Sequence, residues 1–355
     1  MDEYSLEQLR AILEARSLAD AFQSRVLSQG EKLSINRYAK VIANIEAPLG
    51  SFKNVLSGVS KAGSINPLPE VSSSAILEEM RNRQKGIYGE DDRVEVVASP
   101  DAKRRNLARS VAAIVERDRR IALDDGMISI GGASLADRYA AEDKPLCKRE
   151  AFREQPSPAI GTAFLVAPTL VVTANHCLNE VTFAHRCLIF DFETDADGVA
   201  PTTYREDQIY AVTAFHGGIF TKTAEDWSLM ELDRPVTGRD ALKLRQAGRP
   251  ADNAPLYVIG HPSGLPKKIA GNAEIRINTA SSHFVANLDT YGGNSGSPVF
   301  NALTHEVEGI LVRGDTDYVP LGDCYASLIC PINGCRGEDC SRVEPVFQKL
   351  KEHIS

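Results

Sequence analysis

The rhythm of apolar and polar positions changes near residue 86. Before it, apolar residues recur at helical spacing: Leu6, Leu9, Ile12, Leu13, Leu18, Phe22, Val26 and Leu27 predict a helix over 6–28. Ser5 is placed to cap it, with Gln8 three residues on as in a capping box. Tyr38, Val41, Ile42 and Ile45 predict a second helix over 34–45, and 54–59 reads as a short third. Residues 63–74, with Pro67, Pro69 and a run of serines, read as a linker. A further short helix over 74–84 ends in Arg81, Arg83 and Lys85. Residues 1–85 are therefore expected to form a helical module, whether regulatory, adaptor or propeptide.

After Gly86 the apolar runs become short and rich in β-branched residues. Strands are predicted at 110–115, 162–166, 170–173, 187–190, 209–215, 228–232, 256–259, 273–277 and 307–312. Gly, Pro, Asn and Asp clusters part them at short intervals, which favours antiparallel barrels or sandwiches over alternating βαβ units. A closing helix is predicted over 344–353. The expected division is a helical 1–85 and a mainly β domain over 86–355.

Composition narrows the picture a little. A chain of 355 residues has room for two or three packed units. The formal charge of −8 weighs against a nucleic-acid partner. No apolar run approaches the roughly 18 residues of a membrane span. The acidic start, Met1-Asp2-Glu3-Tyr4, lacks the basic and apolar regions of a secretion leader. Seven cysteines leave at least one outside any internal bridge. Cys177 and Cys187 flank an expected turn and are one candidate pair. Cys324, Cys330, Cys335 and Cys340 contain no CxxC and read as disulfides or thiols rather than zinc ligands. The cysteines favour a secreted or periplasmic location, and the missing leader favours a cytoplasmic one.

The chemistry is carried by one glycine-rich bend and two earlier segments. Gly292-Gly293-Asn294-Ser295-Gly296-Ser297-Pro298 places three glycines around a serine ahead of an apolar pair. Glycine permits positive φ and close backbone approach, so such a bend can expose a hydroxyl and bare N–H groups together. Upstream, Leu170–Cys177 is a strand delivering His176 at its end, and Asp226 opens the alternating run Trp227–Leu232. A serine hydroxyl is a weak nucleophile until a positioned base takes its proton, and imidazole suits that task. A carboxylate on the far ring nitrogen fixes the tautomer. Ser295, His176 and Asp226 fit these roles, in the order His–Asp–Ser. The remaining histidines, His185, His216, His261, His283, His305 and His353, have no comparable setting and read as surface or structural. Asp233 reads as a turn residue, and Trp227 and Leu229 as core.

These segments resemble the three signatures of trypsin-like, chymotrypsin-fold serine peptidases: Thr173-Ala174-Asn175-His176-Cys177, Asp226-Trp227-Ser228-Leu229 and Gly293-Asn294-Ser295-Gly296-Ser297-Pro298. The last form is similar to the bacterial branch that contains the glutamyl endopeptidases, and Gly89-Glu90-Asp91-Asp92-Arg93 resembles the opening of that branch's mature domain. The resemblance spans about 86–355. It implies two six-stranded antiparallel barrels with the triad in the cleft between them, an oxyanion hole made by the N–H groups of Gly293 and Ser295, no cofactor, and a protein or peptide substrate. It also implies a primary specificity pocket at Asp289, Thr290, Val312, Arg313 and Gly314. An aspartate at its base predicts cleavage after Arg or Lys, unless Arg313 neutralises it. No histidine stands in Gly309–Gly314, where the glutamyl branch carries one. Asn294 replaces the aspartate with which trypsin-type zymogens pair a new N-terminus, so latency would have to come from elsewhere. The basic residues around Lys85 are a candidate self-processing site. Two other readings stand beside the active peptidase: a signalling or defence effector whose helical module recruits a partner, and an inactive binding module on a peptidase fold.

Overall fold

The computed structural model describes residues 72, 87–221, 225–313 (without the Arg313 side chain), 317–332 and 334–354. The expected helices within 1–85 lie outside the described residues, as does Gly314.

Six strands close the first barrel: β1 (Val111–Glu116), β2 (Gly161–Ala167), β3 (Leu170–Thr173), β4 (Arg186–Ile189), β5 (Ile209–Phe220) and β6 (Asp226–Leu232). They run in the order β5-β6-β3-β2-β1-β4, with β4 pairing back to β5. The second barrel is built from β7 (Pro255–Gly260), β8 (Lys268–Ile277), β9 (His283–Ala286), β10 (Pro298–Asn301), β11 (Val307–Arg313) and β12 (Glu338–Arg342). Its order is β7-β10-β11-β12-β9-β8, and pairing of β7 with β8 closes it. All these pairings are antiparallel, so closure leaves no bare sheet edge within either barrel. Each strand run read from the sequence overlaps one of these strands, with Ser110 and Phe190 just outside theirs.

The side chains explain the closure. Val111, Ile114, Phe164, Val171, Val172, Leu229 and Met230 are buried in the first barrel, and Leu256, Phe284, Val299 and Leu311 in the second. Tyr257 and Phe300 stack between β7 and β10 with centroids 4.7 Å apart. Trp227 and Leu229 are core residues, as expected. The closing helix, α3 (Glu344–Lys351), buries Val346 and Leu350. Two helices were not foreseen: α1 (Ala102–Ala108), capped by Asp101, and α2 (Leu135–Ala141), capped by Ser134.

The first strap of the domain, residues 87–95, belongs to the second barrel. Ile87–Tyr88 pairs in parallel with Ile329–Cys330, and Val94–Glu95 pairs with Lys268–Ile269 of β8. Buried Arg93 sits 4.2 Å over the Tyr291 ring and is bridged to Asp91 at 2.7 Å. Lys268, nearly fully buried, donates to Glu95, Gln155 and the Pro266 carbonyl, all within 3.0 Å.

The cysteine expectation needs correction. The bridges are Cys147–Cys324 and Cys330–Cys335, while Cys177, Cys187 and Cys340 form none. Cys177 and Cys187 sit in different core clusters, Cys177 facing the Ser295 carbonyl at 3.6 Å and Cys187 facing the Val115 carbonyl at 3.7 Å. Proximity along the chain did not translate into proximity of the sulfurs.

Candidate active site

His176 follows the end of β3, Asp226 opens β6, and β6 pairs with β3. That pairing brings imidazole and carboxylate together. His176 Nδ1 lies 2.6 Å from Asp226 Oδ2, and the His176 N–H donates to Asp226 Oδ1 at 3.2 Å. Asp226 is 1 % exposed, and its own N–H donates to Ser341 Oγ of β12 at 3.0 Å. With Nδ1 committed to the carboxylate, Nε2 is the nitrogen left to accept a proton. Burial works against the charged ring, but its interactions with Cys177 and Asp226 outweigh it and hold the His176 pKa above its ordinary value.

The Ser295 bend is packed against the strand that delivers the histidine. Gly296 has φ +90°, and a Cβ there would run into the Thr162 carbonyl and the Thr173 hydroxyl. Gly293 has φ +89°, and a Cβ there would lie 2.5 Å from the His261 carbonyl oxygen. Both positions therefore require glycine. The Thr162 N–H donates to the Ser295 carbonyl at 2.9 Å, and Gly296 N–H to Leu311 of β11 at 2.7 Å. The Gly292 N–H reaches the Asp317 carboxylate at 2.8 and 2.9 Å. Among the described residues, the N–H groups of Gly293 and Ser295 have no acceptor. Two bare donors flanking a serine are what an oxyanion in acyl transfer calls for. Asn294 donates its N–H to the Tyr291 carbonyl and lies beside Ser297 Oγ at 3.4 Å, both contacts local to the bend.

The expected specificity residues divide. Thr290 is fully buried, its hydroxyl without a partner among the described residues, and Val312 is buried on β11. The Arg313 side chain and Gly314 are not described. Asp289 is buried and turned to the strap: Oδ1 accepts the Tyr88 N–H at 2.6 Å and Oδ2 the Asp92 N–H at 3.2 Å. Asp92 Oδ2 accepts the Gly271 N–H at 3.0 Å, while its buried Oδ1 takes no N–H and is free to carry a proton. Burial and the facing Asp289 push Asp92 up to about 8, and burial raises Asp289 as well. Two carboxyls in one dry site share a proton rather than both ionise.

That sharing has a sign. The folded pKa of Asp92 lies above its unfolded value of 3.8, so its contribution is full below that value and is lost as pH rises through about 8. Asp92→Asn carries an amide in place of the protonated acid. Its melting temperature should fall less than wild type between pH 6 and pH 9, read by calorimetry; parallel losses would refute the shared proton.

Sequence reading missed several residues that hold this site: Thr162, Ser263, Asp317 and Ser341. Thr162 heads the strand preceding the histidine motif, and His261-Pro262-Ser263-Gly264 carries obvious turn residues. Neither signal says what the turn would touch.

A trypsin-like peptidase domain matches residues 161–310. A protein described as secreted RxLR effector protein 73 of Plasmopara viticola is 27% identical over 185 residues, 46% of this chain; the chain spans 45% of that protein's length. Among solved structures, the VesB protease of Vibrio cholerae superposes with a TM-score of 0.45 at 15% identity, covering 76% of this chain and 68% of that one. A Glu endopeptidase gives 0.44 at 15% identity over 75% of this chain and 98% of its own. Human heparin binding protein gives 0.46 at 13% identity over 76% of this chain and 96% of its own.

Proposed function

We propose that the chain, whose residues 161–310 match a trypsin-like peptidase domain, is a working serine endopeptidase with His176, Asp226 and Ser295 as its triad. The observation that carries the reading is the contact of His176 with buried Asp226 at 2.6 Å, together with two N–H groups, of Gly293 and Ser295, that have no acceptor among the described residues. Ser295 Oγ attacks the scissile carbonyl while His176 Nε2 takes its proton. The tetrahedral oxyanion is held by the N–H groups of Gly293 and Ser295. Collapse breaks the C–N bond, His176 returns the proton to the departing amine, and an ester to Ser295 remains. Water, deprotonated by the same imidazole, then releases the acid and restores the hydroxyl. Asp226 stays ionised and steadies the imidazolium formed at each step. Protein or peptide is the substrate such a domain implies.

The preference for Arg or Lys is the finer part of the reading, and the surroundings of Asp289 weigh against it. Both of its oxygens are already engaged by the strap, and its raised pKa weakens its pull on a cation. We expect a peptide library to show no dominance of Arg or Lys before the cut.

The test of the enzyme itself is labelling of the full chain by a fluorophosphonate probe. Wild type should label at one residue, and Ser295→Ala should abolish labelling while leaving the melting temperature within a few degrees. A folded wild type that stays unlabelled would move the chain to the binding-module reading. No observation among the described residues favours the effector reading over the enzyme.

A further inference from the structure

Gly293 is the weak point of the bend. It supplies one of the two bare donors, yet as a glycine at φ +89° it has little of its own to hold that donor in place. Its aim depends on the peptides either side of it.

The peptide before it is held by a turn. The Gly292 carbonyl accepts the Ser263 N–H at 2.5 Å. In a trans peptide C=O and N–H point in opposite directions, so anchoring this carbonyl turns the Gly293 N–H the other way. Ser263 is itself in the left-handed region, at φ +52°, and buried, with its carbonyl bonded to Ser157 Oγ at 2.9 Å. The peptide after it is held by Thr162. The Thr162 hydroxyl donates to the Gly293 carbonyl at 2.8 Å and accepts the His261 N–H at 3.1 Å. The same residue holds the Ser295 carbonyl through its N–H at 2.9 Å, and its own carbonyl accepts Thr173 Oγ1 at 2.6 Å. Thr162 is fully buried and belongs to β2 of the first barrel, whereas Gly293 and His261 belong to loops of the second.

We infer that Thr162 is a positioning residue for the oxyanion donors: its hydroxyl fixes the torsion after Gly293 and ties the His261–Gly264 turn to the bend. This rests on the triad reading above. One residue, through its hydroxyl at Gly293 and its backbone N–H at Ser295, thereby ties the first barrel to the bend that carries the two N–H groups. A valine in its place keeps the shape and loses the hydrogen bonds. The Gly293 carbonyl and the His261 N–H then lack a partner in a dry interior, and the bend can relax away from its donor geometry.

Donors aimed at the oxyanion act in the transition state and little in the ground state, so the effect belongs in kcat. The full chain is assayed with p-nitrophenyl acetate, which needs no side-chain recognition, and labelled with the fluorophosphonate probe. Thr162→Val should lower kcat and the labelling rate at least about tenfold with KM within about twofold. Thr162→Ser, which keeps the hydroxyl, should restore both to within about threefold. Should the valine variant not fold, Thr162→Ala replaces it, because it removes the hydroxyl without putting a methyl against the two polar groups. Folded hydroxyl-less variants that turn over at the wild-type rate would overturn the inference, as would a serine variant no better than valine. A wild type that neither labels nor turns over overturns the triad reading instead, so the two failures are distinguishable.

Discussion

Asp226→Asn should lower kcat by about 10⁴-fold while leaving the fold intact. The loss follows from the hydrogen-bond pattern rather than from charge alone. His176 Nδ1 meets Asp226 Oδ2 at 2.6 Å, and a carboxylate can only accept there, so the ring proton is kept on Nδ1. An amide can present N–H groups to the same nitrogen, which moves the ring proton to Nε2, where it blocks proton uptake from Ser295. The pH profile carries a second signature. The wild-type imidazole is held above its ordinary value, so the inactive imidazolium persists to higher pH, and kcat/KM climbs with pH through that raised value and is lost below it. Removing the carboxylate takes away one of the groups raising it, so the residual activity of Asp226→Asn should have its acidic limb at lower pH. A limb at the same pH in both would mean that Asp226 does not hold the imidazole's charge.

The second large effect is structural. Gly296→Ala should prevent the second barrel from closing on the first, seen as loss of a cooperative urea transition or a drop of more than about 3 kcal/mol. Gly296 has φ +90°, which alone disfavours alanine. The added methyl also meets the Thr162 carbonyl, the Thr173 hydroxyl and, at 3.0 Å, the Ala174 N–H. Two of the three are backbone atoms at the paired ends of β2 and β3, and the Thr173 hydroxyl is itself bonded to the Thr162 carbonyl, so none moves aside cheaply. By contrast, Gly126, Gly198 and Gly248 also have positive φ but nothing near a built Cβ, and alanine there should cost only the backbone strain. An unchanged transition in Gly296→Ala would show that the bend is not packed as described.

These two predictions mark what the sequence made legible and what it did not. The strand bearing Leu170–Thr173 and the run Trp227–Leu232 are strongly β-branched or alternating, and the candidate residues His176 and Asp226 sit at their ends, where order along the chain is informative. Helices α1 and α2 were invisible because seven residues make only two turns, too few for a period to emerge, and their caps, Asp101 and Ser134, look like any loop residue. Ser341 beneath Asp226 and Asp317 beneath Gly292 act across 115 and 25 residues of chain, and no local pattern encodes a partner that distant. Asp289 is the instructive case. Its place six residues before Ser295 suggested a substrate pocket, but the strap 87–92 supplies two N–H donors that its carboxylate accepts. Position along a motif marks where a side chain starts; which neighbour it turns to is decided by whatever else packs there.

The Cys147–Cys324 bridge closes a ring of backbone 177 residues in separation, and His176, Asp226 and Ser295 all lie inside it. In the chain-entropy account, closing a ring of that size removes about 5 kcal/mol of freedom from the unfolded chain, comparable to the whole net stability of many domains. There is also a topological consequence. One cut anywhere between 148 and 323, for example in the exposed 195–199 loop, opens the ring without separating its pieces, so histidine and serine stay on one covalent molecule. Reduction and nicking are each survivable in that sense; together they part the halves. A nicked sample should therefore keep its mass on a denaturing gel until a thiol is added.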